Sequence, residues 1–222
     1  MTNAAVAGST GLVGRELCLQ LAREPKLNRV VALTRRPLDF SSPSKLIERI
    51  ADFGRLDQVD AGPIDTAFCT LGTTIKTAGS REAFRLVDYD CTVAFAQFAR
   101  KSGVRTFVLL TSVDSAPDSG NFYLSVKGEA EKAVESLGFE SLYLARPSFL
   151  AGERREKRSG ERIGIALAKA VQFGLIGPLK KYRPIDIRML AAGMIGAAES
   201  AEPGQHILHY DQIAKFSAGR RY

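Results

Sequence analysis

The chain opens on the apolar run Ala4-Ala5-Val6-Ala7, followed at once by Gly8, Gly11 and Gly14 and then by Leu17, Cys18 and Leu21 at helical spacing. Strand, glycine turn and helix in that order constrain the fold more than any other stretch. In such a unit the first glycine allows a tight turn and the second lets backbone N–H groups approach a ligand. The third lets the helix pack close to the strand. The helix start then offers unpaired N–H groups and about half a positive charge to an anion. A plain turn between strand and helix would collect glycines too. Placed here, Gly8, Gly11 and Gly14 predict a cradle for the pyrophosphate of a dinucleotide.

The rest of the chain repeats the strand-then-helix alternation. Apolar runs at 29–34, 46–51, 66–71, 106–111 and 141–145 predict five further strands. Phe84, Val87, Cys91, Phe95 and Phe98 recur at helical spacing within 81–101, stopped by Gly103, and a further helix is expected over 122–137, stopped by Gly138. Alternating strands and helices imply right-handed crossovers and a parallel sheet covered on both faces. After Pro147 the pattern changes to a charged loop at 153–158, small-residue helices at 163–173 and 188–199, and a late strand at Ile207-Leu208. At 222 residues the chain fits one domain, 1–222, with a cofactor-binding core over 1–147 and a small substrate or lid region over 148–222.

Composition excludes rather than selects. No apolar run approaches the ~20 residues of a membrane helix, and no basic leader precedes the first strand. Cys18, Cys69 and Cys91 are scattered without metal spacing, which suggests reduced thiols in the cytoplasm. The net charge of +7 lacks the basic–aromatic interleaving of a nucleic-acid surface, so no nucleic acid is expected. His206 and His209 sit three apart, which in a strand points the rings to opposite faces, so no metal is expected.

Two constellations carry chemistry. The second strand ends in Thr34-Arg35-Arg36, where a fold that prefers NAD places an acid ~20 residues past the glycines. Guanidinium forks at Arg35 and Arg36 match a ribose 2′-phosphate instead and predict NADP(H); a solvated pair at a strand end is the plainer reading. The second constellation is Tyr123 and Lys127, four residues apart on one helical face. A free phenol titrates near ~10 and is a poor acid–base at neutral pH, but a neighbouring ammonium favours its ionised form. Such a phenol can protonate a carbonyl oxygen or deprotonate an alcohol. The plainer reading is a half-buried tyrosine with an exposed lysine. Thr111 and Ser112 end a strand at the edge where open α/β sheets bind ligands, and either hydroxyl suits the substrate oxygen, with Ser112 favoured.

Taken together, Gly8-x-x-Gly11-x-x-Gly14, Thr111-Ser112 and Tyr123-x-x-x-Lys127 resemble the short-chain dehydrogenase/reductase superfamily, of the atypical kind. Thr34-Arg35-Arg36, the stretches 69–74 and 122–129, and Arg146-Pro147 are similar to the Tat-interacting-protein family of NADPH-binding Rossmann proteins and its bacterial relatives. The resemblance runs to about residue 162 and implies an α/β fold: a Rossmann-type doubly wound parallel sheet with a small C-terminal extension. It implies phosphate contacts from Gly8, Ser9, Thr10, Gly11, Leu12 and Val13, and further cofactor contacts from Leu71 and Gly72. Tyr123 would be the proton donor and acceptor, Lys127 would bond the nicotinamide ribose, Asp52 and Phe53 would meet the adenine, and Leu150 and Arg158 would approach from above. Ser148 stands where the family pattern has glycine and would narrow the nicotinamide pocket.

Two functions follow from this reading: an NADP-dependent oxidoreductase acting on a small carbonyl or alcohol, or a non-catalytic NADPH-binding sensor or protein-interaction module. Tyr123 and Lys127 favour the first, and the small region after the sixth strand favours the second. A monomer or weak dimer is expected, with a protein partner open. The stretch 153–158 reads either as a cofactor-closed lid or as plain surface, since its basic residues suit a phosphate and nothing in it is apolar.

Overall fold

The computed structural model describes residues 2–41, 43–151 and 175–220. Strands β1 (Asn3–Ala7), β2 (Arg29–Thr34), β3 (Leu46–Ile50), β4 (Thr66–Cys69), β5 (Thr106–Leu110) and β6 (Ser141–Ala145) lie where the apolar runs predict them. Two short strands, β7 (Leu150–Ala151) and β8 (Ile185–Asp186), pair with each other, and β9 (Gly204–Leu208) completes the set. The main sheet has seven strands in the order β3-β2-β1-β4-β5-β6-β9, all parallel. The chain therefore winds outward from β1 to β3, returns to β4, and winds outward the other way. Its direction reverses between β1 and β4, and the crevice at such a reversal, beyond the carboxyl ends of the strands, is where open α/β sheets bind ligands.

Both faces of this sheet are covered, which is why its strands read as near-continuous apolar runs. In β1, Ala4 and Val6 face one cluster with Leu17 and Leu21 of α1 (Leu12–Arg23), while Ala5 and Ala7 face the other. That second cluster takes in Phe95 and Ala99 of α4 (Cys91–Lys101). The first face is also covered by Leu190, Met194 and Ile195 of α6 (Ile187–Ser200) and by Ile213 of α7 (Tyr210–Ser217). Before β9 joins the sheet edge the chain packs on α1 through α6, and after it α7 packs on α6. Each large side chain buried in these clusters contributes ~1.5–3 kcal/mol relative to exposure.

Three expectations change. The helix expected over 81–101 is three pieces: α3 (Arg81–Arg85), a π-helical turn over Leu86–Asp90, and α4. The wider turn carries Asp88 into the interior. The strand expected over 66–71 leaves the ladder at Cys69, because Thr70 turns back on β1 and donates to Ala7 O from both its N–H, at 2.8 Å, and its Oγ1, at 2.9 Å. Helix α5 spans Phe122–Glu135 and stops two residues early. The helix expected at 163–173 and the charged loop at 153–158 lie outside the described residues.

Candidate dinucleotide and active site

The turn after β1 is as tight as its glycines allow. Gly8 takes φ +88°, and its carbonyl accepts Gly11 N–H at 2.9 Å. A Cβ on Gly14 would fall 2.1 Å from Gly8 O, so any side chain there would force α1 away from β1. Gly11 caps α1 with no side-chain hydrogen bond, which leaves the first N–H groups of the helix to a ligand. Ser9 is fully buried in this turn and its Oγ has no partner among the described residues. Thr10 is half-buried, Leu12 is exposed at the helix start, and Val13 packs into the sheet cluster. A dinucleotide fits here: free N–H groups at the start of α1 and a close backbone approach lie at the switch point, with the orphaned Ser9 hydroxyl buried within the same turn.

Arg35 and Arg36 leave the end of β2 with exposed side chains, and neither pairs with a carboxylate among the described residues. The backbone there is held by Thr34 Oγ1 donating to Arg36 O at 2.7 Å. Arg35 lies near enough to the Cys91 thiol, and Asp52 with it, to act on it electrostatically. Asp52 is exposed and accepts Gly54 N–H at 2.9 Å, whereas Phe53 is packed into the sheet cluster. Of that pair, Asp52 alone presents a side chain outward. Leu71 and Gly72 follow Thr70 at the end of β4, and a Cβ on Gly72 would stand 3.3 Å from Lys127 Nζ. The turns after β1 and β4 and the Tyr123 helix therefore meet at one edge.

Helix α5 begins at Asn121, whose Oδ1 accepts Tyr123 N–H at 2.9 Å and Leu124 N–H at 3.3 Å. Its approach to the turn after β5 is fixed by Gly128, where a Cβ would lie 2.2 Å from the carbonyl carbon of Ala116. Tyr123 is half-buried beside Phe84, ring centroids 5.6 Å apart. Lys127 is not the exposed lysine of the plainer reading. Its Nζ is buried 2.8 Å from Asp88 Oδ1, and Asp88 Oδ2 accepts Thr73 N–H at 2.9 Å. Burial works against the ammonium, but the Asp88 carboxylate, with Tyr123 behind it, outweighs that and holds Lys127 above its ordinary range. The Lys127 charge expected to act on Tyr123 is thus shared with a carboxylate.

Thr111 and Ser112 separate in the same way. Thr111 is buried and its Oγ1 donates to Glu131 Oε1 at 2.5 Å. Glu131 also takes both arms of Arg146, Nε donating at 2.9 Å and Nη2 making the second contact. That network occupies Thr111 and leaves Ser112 as the half-buried hydroxyl without a bond among the described residues. Ser148 Oγ donates to Arg183 O at 2.7 Å, so it braces the approach to β8. Leu150 lies in β7 with its side chain partly exposed, and Arg158 lies outside the described residues.

Other polar groups have structural work. Asp114, at φ +61°, accepts Lys181 Nζ at 2.6 Å and Tyr182 Oη at 2.7 Å. The His206 ring stacks on Tyr143 with centroids 5.0 Å apart, and His209 caps α7. Burial pushes the Cys18 thiol up to about 12 and the Cys69 thiol to about 11, so neither is a nucleophile at neutral pH. Among the described residues no helix is long and apolar enough to cross a membrane.

Sequence reasoning missed Asp88 and Glu131, although each leaves a trace. Asp88 falls on the stripe of Phe84, Cys91 and Phe95, and Glu131 falls on that of Lys127 and Val134. A carboxylate on an apolar helix face requires a buried partner, and Lys127 and Arg146 are those partners.

No family model matches the chain. Protein FMP52, mitochondrial, of Coccidioides immitis is 34% identical over 172 residues, covering 71% of this chain and 70% of its own. FMP52 of Saccharomyces cerevisiae is 33% identical over 162 residues, covering 71% and 70%. Protein HTATIP2 of Rattus norvegicus is 34% identical over 160 residues, covering 70% and 66%. Among solved structures, the Helicobacter pylori ADP-L-glycero-D-manno-heptose-6-epimerase superposes with a TM-score of 0.67 at 17% identity, over 97% of this chain and 79% of that one. The Lactococcus lactis oxidoreductase ylbE superposes with a TM-score of 0.65 at 16% identity, over 96% and 95%. MoeE5 in complex with UDP-glucose and NAD superposes with a TM-score of 0.62 at 17% identity, over 97% and 81%. At these identities the superpositions establish the Rossmann-like fold, and the sequence matches establish the family: the chain belongs to the FMP52/HTATIP2 family.

Proposed function

We propose that this chain binds NADP(H) and transfers hydride to or from a small carbonyl or alcohol, with Tyr123 as proton donor and acceptor. The observation that carries the reading is the meeting of the glycine turn, Gly72, Lys127 and Tyr123 at the one switch point of the sheet. The N–H groups at the start of α1 suit the pyrophosphate, and Arg35 and Arg36 suit a 2′-phosphate. Lys127 suits the ribose hydroxyls, and Asp52 the adenine end. The cofactor, when bound, supplies the hydride. Tyr123 Oη gives its proton to the carbonyl oxygen as charge develops there, and takes one from the alcohol in the reverse direction. Ser112 Oγ, unlike Thr111 Oγ1, has no bond to Glu131 and is available to that same oxygen.

A second reading, a non-catalytic NADPH-binding sensor or interaction module, is favoured by Asp88. By sharing the Lys127 charge it weakens the pull that would ready Tyr123 for proton transfer. A cytoplasmic location rests on the free thiols Cys18, Cys69 and Cys91, while the fungal relatives are named mitochondrial. A screen of small aldehydes and ketones for substrate-dependent NADPH oxidation separates the two functions. Turnover in the parent, reduced at least about a hundredfold in Tyr123→Phe with NADPH binding kept within a few-fold, supports the enzyme. Equal turnover in Tyr123→Phe overturns the proton-transfer role, and NADPH binding without any turnover supports the sensor.

A further inference from the structure

Among the described residues only Asp114 and Ala201 hold a positive φ without being glycine. Ala201 ends α6, where a left-handed residue is an ordinary stop. Asp114, at φ +61°, lies instead in the turn that carries Ser112. Ser112 O accepts Ser115 N–H at 3.3 Å and Ser115 Oγ at 2.8 Å, which closes a turn over 112–115 with Asp114 as its third member. A type II turn needs φ > 0 at that place, and glycine meets the need without cost. A side chain held there in a left-handed backbone calls for a reason, and such residues cluster at functional sites.

The reason is what the carboxylate reaches. Asp114 Oδ1 accepts Lys181 Nζ at 2.6 Å, and Oδ2 accepts Tyr182 Oη at 2.7 Å. Both partners belong to the 3-10 helix Gly177–Tyr182, 67 and 68 positions later in the sequence. Beyond that helix the chain is tied to the end of β6 as well: Ser148 Oγ donates to Arg183 O at 2.7 Å, and Ile185 N–H donates to Phe149 O at 2.9 Å. Val113 N–H donates to Pro147 O at 2.9 Å, so the Ser112 turn is gripped by the end of β6 on one side and by the 3-10 helix on the other. Glycine at 114 would relax the backbone and forfeit the second grip.

We propose that Asp114 is a positioning residue for Ser112: its carboxylate clasps Lys181 and Tyr182, so that the segment 177–186 and the hydroxyl offered to the substrate oxygen are held as one unit. The proposal rests on the reading of Ser112 above for its consequence in turnover, and on the geometry alone for the coupling. The region after β6 then sets where the Ser112 hydroxyl sits, besides walling the site.

The test compares the parent with Asp114→Asn and with Lys181→Met, Tyr182→Phe. Asparagine tolerates φ > 0 as aspartate does and loses the charge, whereas the second variant leaves the turn itself untouched. The Asp114 and Lys181 side chains are 40% and 34% exposed, and the Ser148 and Phe149 tethers remain, so both variants keep the fold. The first measurement is amide hydrogen exchange by NMR without added ligand, at Val113 and Ser115 in the turn and at Arg183 and Ile185 in the segment. Each variant speeds exchange at all of these amides by about fivefold, and combining the variants adds little, because both remove the same bonds. A clasp that merely anchors the segment frees Arg183 and Ile185 alone, and parent-like exchange at Val113 and Ser115 overturns the proposal. The second measurement is steady-state turnover with NADPH and the aldehyde or ketone that the screen returns. Both variants lower kcat by about tenfold and leave KM for NADPH within about twofold, as a displaced transition-state donor beside an intact nucleotide site requires. Unchanged kcat in variants whose turn exchanges faster also overturns the proposal. If the screen returns no substrate, the function reading fails, and the exchange pattern still decides whether Asp114 couples the segment to the Ser112 turn.

Discussion

Two ion pairs on helix α5 lie two residues apart in sequence and differ in burial, which makes their costs separable. Glu131 contacts Arg146 with side chains 5% and 19% exposed, and Glu129 contacts Arg85 at 2.7 Å with side chains 32% and 41% exposed. Removing one partner of a buried pair costs ~3–5 kcal/mol, because the other charge stays buried unpaired. Arg146 retains some water, so Glu131→Gln belongs at the lower end, about 3 kcal/mol. For a chain of this size each kcal/mol lowers Tm by ~2–4 °C, which gives a fall of roughly 6–12 °C. Glu129→Gln breaks an exposed pair worth at most about 1 kcal/mol and should lower Tm by no more than ~4 °C. Thermal unfolding followed by circular dichroism, with urea unfolding to confirm a common slope, measures both. Adding Arg146→Met to Glu131→Gln should recover part of the loss, since no unpaired charge is left. Equal Tm losses for the two single variants, or no recovery in the double one, would refute the reasoning that burial sets the cost.

Gly14→Ala places a Cβ 2.1 Å from Gly8 O, a backbone atom that cannot swing aside. We expect ~1–3 kcal/mol of overpacking, read as a lower Tm, together with at least about a tenfold loss of NADPH affinity as α1 shifts from its phosphate. Arg35→Ala with Arg36→Ala should leave NADH affinity within a few-fold of the parent's and remove most of the preference for NADPH. Charge-assisted bonds of ~1.5–3 kcal/mol correspond to roughly ten- to hundredfold discrimination, measurable by calorimetry.

Much of the fold was legible because its signals are local. The strands β1 to β6 are short apolar runs, and the turns that follow β1 and β4 are punctuated by Gly8 and Gly72. The grouping of Tyr123 with Lys127 was legible from helical spacing alone. What was not legible depends on partners far apart in sequence. Lys127 reads as an exposed lysine until Asp88, 39 positions earlier by residue number, arrives beside it. The π turn that delivers Asp88 interrupts a stripe of apolar residues that otherwise reads as one continuous helix. Thr111 and Ser112 are equivalent by position, and they part only when Glu131, held by Arg146, takes the Thr111 hydroxyl. Phe53 has the composition of a ligand contact and the location of a core residue, because β3 delivers it under the sheet.

The central claim is that the turn after β1 and the arginines after β2 hold a 2′-phosphorylated dinucleotide. Calorimetric titration of the parent chain with NADPH and, separately, with NADH tests it most directly. The account predicts one saturable site for NADPH, with NADH weaker by roughly ten- to hundredfold. Equal affinities would contradict the assignment of Arg35 and Arg36, and no binding of either dinucleotide would contradict the site itself.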